Sequence, residues 1–192
     1  MEPSPPDLEL PPGWLIPEAP PLVLDVGSHR GSFLLALAAQ EPHHNILGIE
    51  RQKERVIRTR RKIERLGLPN AWASQSGGLE ALGAFSENSV AIIHVLFPDP
   101  WPKRRHSSRR MVNAGFLSEC VRILKPGGLV RFVTDDLPYA KDVKKNAMEI
   151  PELVDAEPQL PAYPPSGFEL TFTGLQKPIH RLAWRKVGVI RG

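Results

Sequence analysis

The sequence predicts an α/β protein in which a mostly parallel sheet is covered by helices on both faces. Two observations predict it. Short apolar runs of strand length alternate with longer stretches of helical length from Leu22 onward. The polar and glycine-rich motifs fall where predicted strands end, the place where such sheets bind ligands. The elements follow in order. Leu22–Val26 is a short apolar run stopped by Gly27, a buried strand. Ser32–Gln40 is nearly all apolar and predicts a buried helix. Asn45–Glu50 is a second strand. Residues 52–66 form a helix with a narrow apolar stripe of Val56, Ile63 and Leu66. Residues 71–74 are a third strand. Residues 90–97 are a fourth, apolar but for His94. Residues 111–124 are a helix, closed by the stop-and-turn signal Lys125-Pro126-Gly127-Gly128. Residues 129–134 are a fifth strand and residues 139–150 the helix after it. Residues 168–173 and 181–189 read as a final strand pair. The Pro-rich stretch from Pro151 to Pro165 reads as a loop.

The 192 residues suit one domain with a small appendage. Hydrophobic residues at 41% and charged residues at 24% exclude wholesale disorder. The single cysteine, Cys120, excludes a disulfide scaffold and a Cys-rich zinc site, and fits a reducing, cytoplasmic compartment. No run approaches the roughly 20 apolar residues of a membrane helix, and the first 21 residues lack the basic and apolar blocks of a secretory signal. Those residues carry eight of the 21 prolines and four acids, which predicts an extended arm over 1–21 ahead of a single domain over 22–192. Trp14, Leu15 and Ile16 are its candidate anchors. The net charge of +4 points only mildly to an anionic partner.

Two motifs carry chemistry. The first is Leu24-Asp25-Val26-Gly27-Ser28-His29-Arg30-Gly31, the turn from the first strand into the first helix. Gly27 and Gly31 let the backbone approach a ligand, and the helix start offers free N–H groups. Glu50, at the end of the second strand, is placed to grip a ribose diol. Asp25 would repel a pyrophosphate, yet suits a cofactor bearing an ammonium and a sulfonium. The spacing also departs from G-x-G-x-x-G. These residues favour S-adenosylmethionine over a dinucleotide; a tight turn with a structural Asp is the competing reading.

The second motif runs from Phe97: FPDPWPKRRHSSRR. Two prolines lock the backbone around Asp99 beyond the strand end. Trp101 offers a flat face for a base. Lys103, Arg104, Arg105, His106, Arg109 and Arg110 suit phosphates. A solvated charge run explains the cations but not an Asp held between prolines at a sheet edge.

This stretch resembles the signature of the bacterial tRNA (guanine-N7-)-methyltransferases, FPDPW-x-K-x-RH-x-x-RR, and the resemblance extends from about Leu22 to Val187. It implies a Rossmann-like class I S-adenosylmethionine-dependent methyltransferase that methylates N7 of the variable-loop guanine in tRNA. By that resemblance Asp25, Glu50 and Asp99 line the cofactor pocket, with Ser76 in the loop after the third strand. Asp99 is the catalytic candidate. Lys103, Arg105, Asp135, Ser166 and Glu169 are the substrate-binding candidates, Asp99 and Asp135 holding the guanine edge. Three departures stand out. GSHRG replaces the family's GxGxG, so His29 crowds the methionine end. Ser74-Gln75-Ser76-Gly77-Gly78 lacks the family's acid near the adenine, leaving Ser76, Gln75 or backbone groups to select it. Ser166 stands for Thr and keeps the hydroxyl.

The other residues read more plainly. The 52–66 helix carries seven Lys and Arg against Glu54 and Glu64, a second RNA track or a solvated face. His94, Cys120, Trp72 and Trp184 read as core, and Asp136 as a helix cap ahead of Pro138. No histidine spacing suggests a metal. A methyltransferase of another substrate, or an RNA-binding module with a decayed pocket, are the rivals. Monomer and homodimer stay equally open.

Overall fold

The computed structural model describes residues 8–16, 18–101 and 109–188. The order is β1 Leu22–Val26, α1 Ser32–Gln40, β2 Asn45–Glu50, α2 Lys53–Leu66, β3 Ala71–Gln75, α3 Gly78–Leu82, β4 Val90–Leu96, α4 Ala114–Ile123, β5 Leu124–Thr134, α5 Leu137–Met148, β6 Leu153–Asp155, α6 Gly167–Gly174 and β7 His180–Lys186. The strands form one sheet in the order β3-β2-β1-β4-β5-β7-β6. The β1 to β5 pairings are parallel, and β7 runs antiparallel between β5 and β6.

Alternation along the strands sorts side chains between two cores. Leu24, Val26, Leu47, Ile49, Val130 and Phe132 face α4 and α5. Val23, Ile46 and Val133 face α1 and α2, where Phe33, Leu34, Val56 and Ile63 meet them. With both faces covered, β1 and β2 are buried along their whole length. That is why they read as continuous apolar runs.

Three expectations change. Residues 168–173 are not a strand: Gly167–Gly174 is the helix α6. Its Phe168, Leu170 and Phe172 mimic the two-residue alternation of a strand. The partner of β7 is instead β6, found inside the expected Pro151–Pro165 loop. The helix α4 ends at Ile123, next to its expected stop, but the strand begins at Leu124 rather than after Gly128. Val90 pairs with Leu124 and Ile92 with Leu129, so Lys125 to Gly128 are an excursion within β5.

The arm is tied to the β3 edge. Trp14 is 9% exposed in the core, with Leu8 and Leu10 packed beside it, whereas Leu15 and Ile16 are exposed. Glu9 pairs with Arg60 at 2.8 Å, and its carbonyl accepts from Trp72 Nε1 at 3.0 Å and from the Ser74 hydroxyl. Trp72 packs half-buried against the margin of the core, with the Arg60 guanidinium 4.3 Å from its ring centre. Trp184 and Cys120 are core as expected. Among the described residues no helix is long and apolar enough to cross a membrane.

Candidate active site

A cavity of about 980 Å³ opens at the carboxyl ends of β1, β2 and β4. In this strand order the chain leaves β1 and β4 in opposite directions, which opens a crevice there. Its floor is acidic. Asp25 comes from β1 and Glu50 from the end of β2, both buried, while Asp99, on the segment after β4, stands at the mouth. Its rim is basic, with Arg30, Arg51, Arg55, Lys62 and Arg109.

Asp25 is 2% exposed, and its Oδ2 has no partner among the described residues. Burial, reinforced by the Glu50 charge, raises its pKa from the ordinary carboxylate value to about 7. A buried, unpaired carboxylate oxygen is costly unless a donor arrives. Glu50 accepts from the Gln52 N–H at 2.8 Å and stands 3.6 Å from the Arg55 guanidinium. The Ser76 N–H reaches the Glu50 carbonyl at 3.2 Å.

The two turn glycines differ. Gly27 has φ +84, with nothing within 4 Å of where a Cβ would stand, so it leaves open space in the cavity wall. Gly31, at φ +72, is not part of that wall. A Cβ there would meet Thr59 at 2.4 Å, so Gly31 lets α1 and α2 close on each other. Its surroundings are those of helix packing. His29 adopts φ 52 and turns its ring onto Phe168, with centroids 5.5 Å apart.

On the substrate side Asp99 is exposed at the mouth. Phe97 and Trp101 flank it at φ 51 and φ 45. These are left-handed conformations that cost an ordinary residue roughly 1–2 kcal/mol. Together with His29 they gather at the cavity, where such strain commonly accompanies function. Arg109 lies 5.1 Å from the Trp101 ring centre. Lys103 and Arg105 lie outside the described residues. Arg110 points inward. It is 8% exposed, donates to the Pro100 carbonyl at 2.8 Å and pairs with Asp136 and Asp142. It staples the Asp99 segment to α5.

Three further candidates have these surroundings. Asp135 is half-buried past β5 and outside the cavity wall. Ser166 and Glu169 cap α6 reciprocally. The Ser166 hydroxyl accepts from the Glu169 N–H at 3.1 Å, and the Glu169 carboxylate accepts from the Ser166 N–H at 3.0 Å. The other Glu169 oxygen holds Arg181 at 3.0 Å, so Glu169 is spent on structure. Ser166 still reaches the cavity wall. Asp136 caps α5 as expected, accepting from the Tyr139 N–H at 2.7 Å.

The structure adds residues that sequence reading missed. Phe168 and Phe172 of α6 pack on Phe97 at 5.9 and 5.2 Å, forming an aromatic wall. Glu80 brings a carboxylate to the cavity at the loop after β3, donated to by the Gly77 N–H at 3.2 Å. The Gly77-x-x-Glu80 spacing was its signal. His94 is buried against Phe33 and Tyr163, and burial with the Arg131 charge holds its pKa well below the usual value. It is core, but its Nδ1 finds no partner among the described residues.

The seven-stranded sheet with its covering helices is the Rossmann-like class I methyltransferase fold. It is shared with a SAM-dependent methyltransferase from Aquifex aeolicus (TM-score 0.59, 17% identity, 88% of this chain and 84% of that one). It is shared too with the 16S rRNA methyltransferase KamB (TM-score 0.62, 17% identity, 88% and 89%). Residues 19–182 match the profile of a family described as putative methyltransferase. Over 169 residues the chain is 36% identical to the tRNA (guanine-N(7)-)-methyltransferase of Treponema pallidum, covering 86% of this chain and 67% of that protein. The protein of the same name from Latilactobacillus sakei is 36% identical over 116 residues, 60% of this chain and 54% of its own length. The chain belongs to the tRNA (guanine-N(7)-)-methyltransferase family. It spans between about half and two thirds of the length of these two relatives.

Proposed function

We propose that the protein methylates N7 of a guanine in tRNA, with S-adenosylmethionine as the methyl donor, as one methyltransferase domain over 22–192 that carries the 1–21 arm. The observation that carries this reading is the placement of Asp99 between Pro98 and Pro100, across one cavity from Asp25 and Glu50. The family membership supports the same substrate.

The residues present fit the cofactor. The unpartnered Asp25 oxygen suits an ammonium, and Glu50 suits a ribose diol. Gly27 leaves room at the turn. When bound, S-adenosylmethionine supplies a methyl group on a sulfonium, which needs no activation by the protein. Guanine N7 is an unprotonated acceptor. No residue has to remove a proton for N7 to attack, so the protein's work is alignment. Asp99 accepts hydrogen bonds from guanine N1–H and the N2 amine, and so orients N7. The wall of Phe97 and Phe168 excludes water and packs the base. Trp101 and Arg109 hold the neighbouring nucleotide, and the run through Lys103 and Arg105 binds phosphates.

Among the described residues no cluster of His, Cys, Asp or Glu is arranged to hold a metal, and the alignment just described calls for none. The compartment proposed is the cytoplasm, where tRNA is found. Incubation with cofactor labelled in the methyl group and unmodified bulk tRNA, followed by mapping of the labelled base, tests the function. Label at a position other than guanine N7, or no label in tRNA, would refute it.

A further inference from the structure

Beside the cavity lies a second recess of about 540 Å³, walled by Arg30, Arg55, Arg58 and Lys62 with Gln52 and Glu54. Arg30, Gln52, Arg55 and Lys62 also line the main cavity, so the recess is its continuation over α2. Arg55, Arg58 and Lys62 stand at positions i, i+3 and i+7, one face of the helix. Four cations meet a single acid there.

The seven cations of α2 do not share one role. Arg60 faces the other way, holding Glu9, the Ala73 carbonyl and the Trp72 ring. Arg55 leans on Glu50, and Lys62 donates to the Arg30 carbonyl at 3.0 Å, which anchors the turn but leaves its charge unpaired. Among the described residues Arg30 and Arg58 have no ion-pair partner, and both are exposed. A concave site with four cations and one carboxylate repels itself until an anion enters it.

We propose that this recess is a second phosphate-binding site, taking the tRNA backbone on the α2 side of the target base. The inference rests on the function proposed above. An RNA strand that places one base in the cavity leaves the mouth on two sides. Arg109 serves the β4 side; the recess serves the other. From Arg55 to Lys62 the helix advances roughly 10 Å at ~1.5 Å per residue, room for a stretch of backbone rather than one small anion.

Arg58 is the residue to test, because it lines the recess and not the cavity. The full chain and its variants are titrated with unmodified tRNA by filter binding from low to high salt. Calorimetry with S-adenosylhomocysteine is run in parallel. Arg58→Ala should lower tRNA affinity severalfold at low salt and flatten the log-affinity against log-salt slope by about 0.7–0.9. Arg58→Glu should lower affinity more than tenfold, and Arg58→Lys should keep the wild-type slope. Affinity for the nucleoside should be unchanged throughout. A wild-type slope in Arg58→Ala and Arg58→Glu overturns the site while leaving the function intact. Equal loss of nucleoside binding would show instead that the recess serves the cofactor. A wild type that neither binds nor methylates tRNA would overturn the function itself.

Discussion

Asp25 is a cavity residue whose chemistry the tertiary structure changes strongly. Its pKa of about 7 lies far above the ~3.9 of an unfolded chain. Between those values the folded protein holds a proton that the unfolded chain has released. Stability without cofactor therefore falls as pH rises from about 4 toward 7, and levels off above. Asp25→Asn should abolish that slope, read from urea midpoints across pH. An arriving ammonium favours the carboxylate, so cofactor binding at pH 6 should expel close to one proton. Calorimetry in two buffers of different ionisation enthalpy measures this, and Asp25→Asn should expel none. Proton-neutral binding by the wild type would mean that no cation reaches Asp25. Asp99 is tested by its substrate instead. Wild type should act poorly on tRNA with inosine at the target, which lacks the N2 amine. Asp99→Asn should be slow on guanine and lose little more on inosine, a bidentate contact being worth about 1–3 kcal/mol. An inosine penalty as large in the variant as in wild type would deny Asp99 that edge.

The helix α6 shows how an element can carry a site without touching much chemistry itself. Of its residues only Glu169 is buried, while Phe168 and Leu170 are 42% and 62% exposed. Tertiary packing of an apolar face is therefore a small part of its stability. The Ser166–Glu169 box and the Arg181 pair hold it, and through it the Phe168 and Phe172 wall. Ser166→Ala should lower the opening free energy of residues 168–170 by about 1 kcal/mol, read by amide hydrogen exchange, and raise KM for tRNA. Ser166→Thr should restore both. Unchanged exchange with lost tRNA affinity would make Ser166 a substrate contact rather than a cap. The strand expected here failed for a physical reason: alternating Phe168, Leu170 and Phe172 satisfy a period of two, and only the box three residues apart signals a helix start. The short β6 is illegible for the opposite reason, since three residues are too few to show any period.

Across the whole molecule, the arm docks beside the edge strand β3, where its Glu9 carbonyl takes the Trp72 and Ser74 side chains. Trp14→Ala should cost about 3–5 kcal/mol, the range for a large buried aromatic, seen as a lower urea midpoint. Leu15→Ala, on an exposed neighbour, should cost little; equal effects would place the anchor elsewhere. The sequence by itself determined the α/β class, the strands β1, β2 and β4, and that the acids Asp25, Glu50 and Asp99 meet near the carboxyl ends of those strands. Buried parallel strands must be continuously apolar, and ligand-facing residues must sit at their carboxyl ends, so both leave marks in a linear reading. The tertiary structure alone decided which polar residues were already occupied. Arg110 and Glu169 look like free ligands in sequence, but partners 26 and 12 residues away, Asp136 and Arg181, consume them. Arg60 and Arg58, two positions apart on one helix, are separated in role by the arm that covers one and the open recess beside the other. Charge is written in the chain, but whether a charge is available depends on which distant element folds against it.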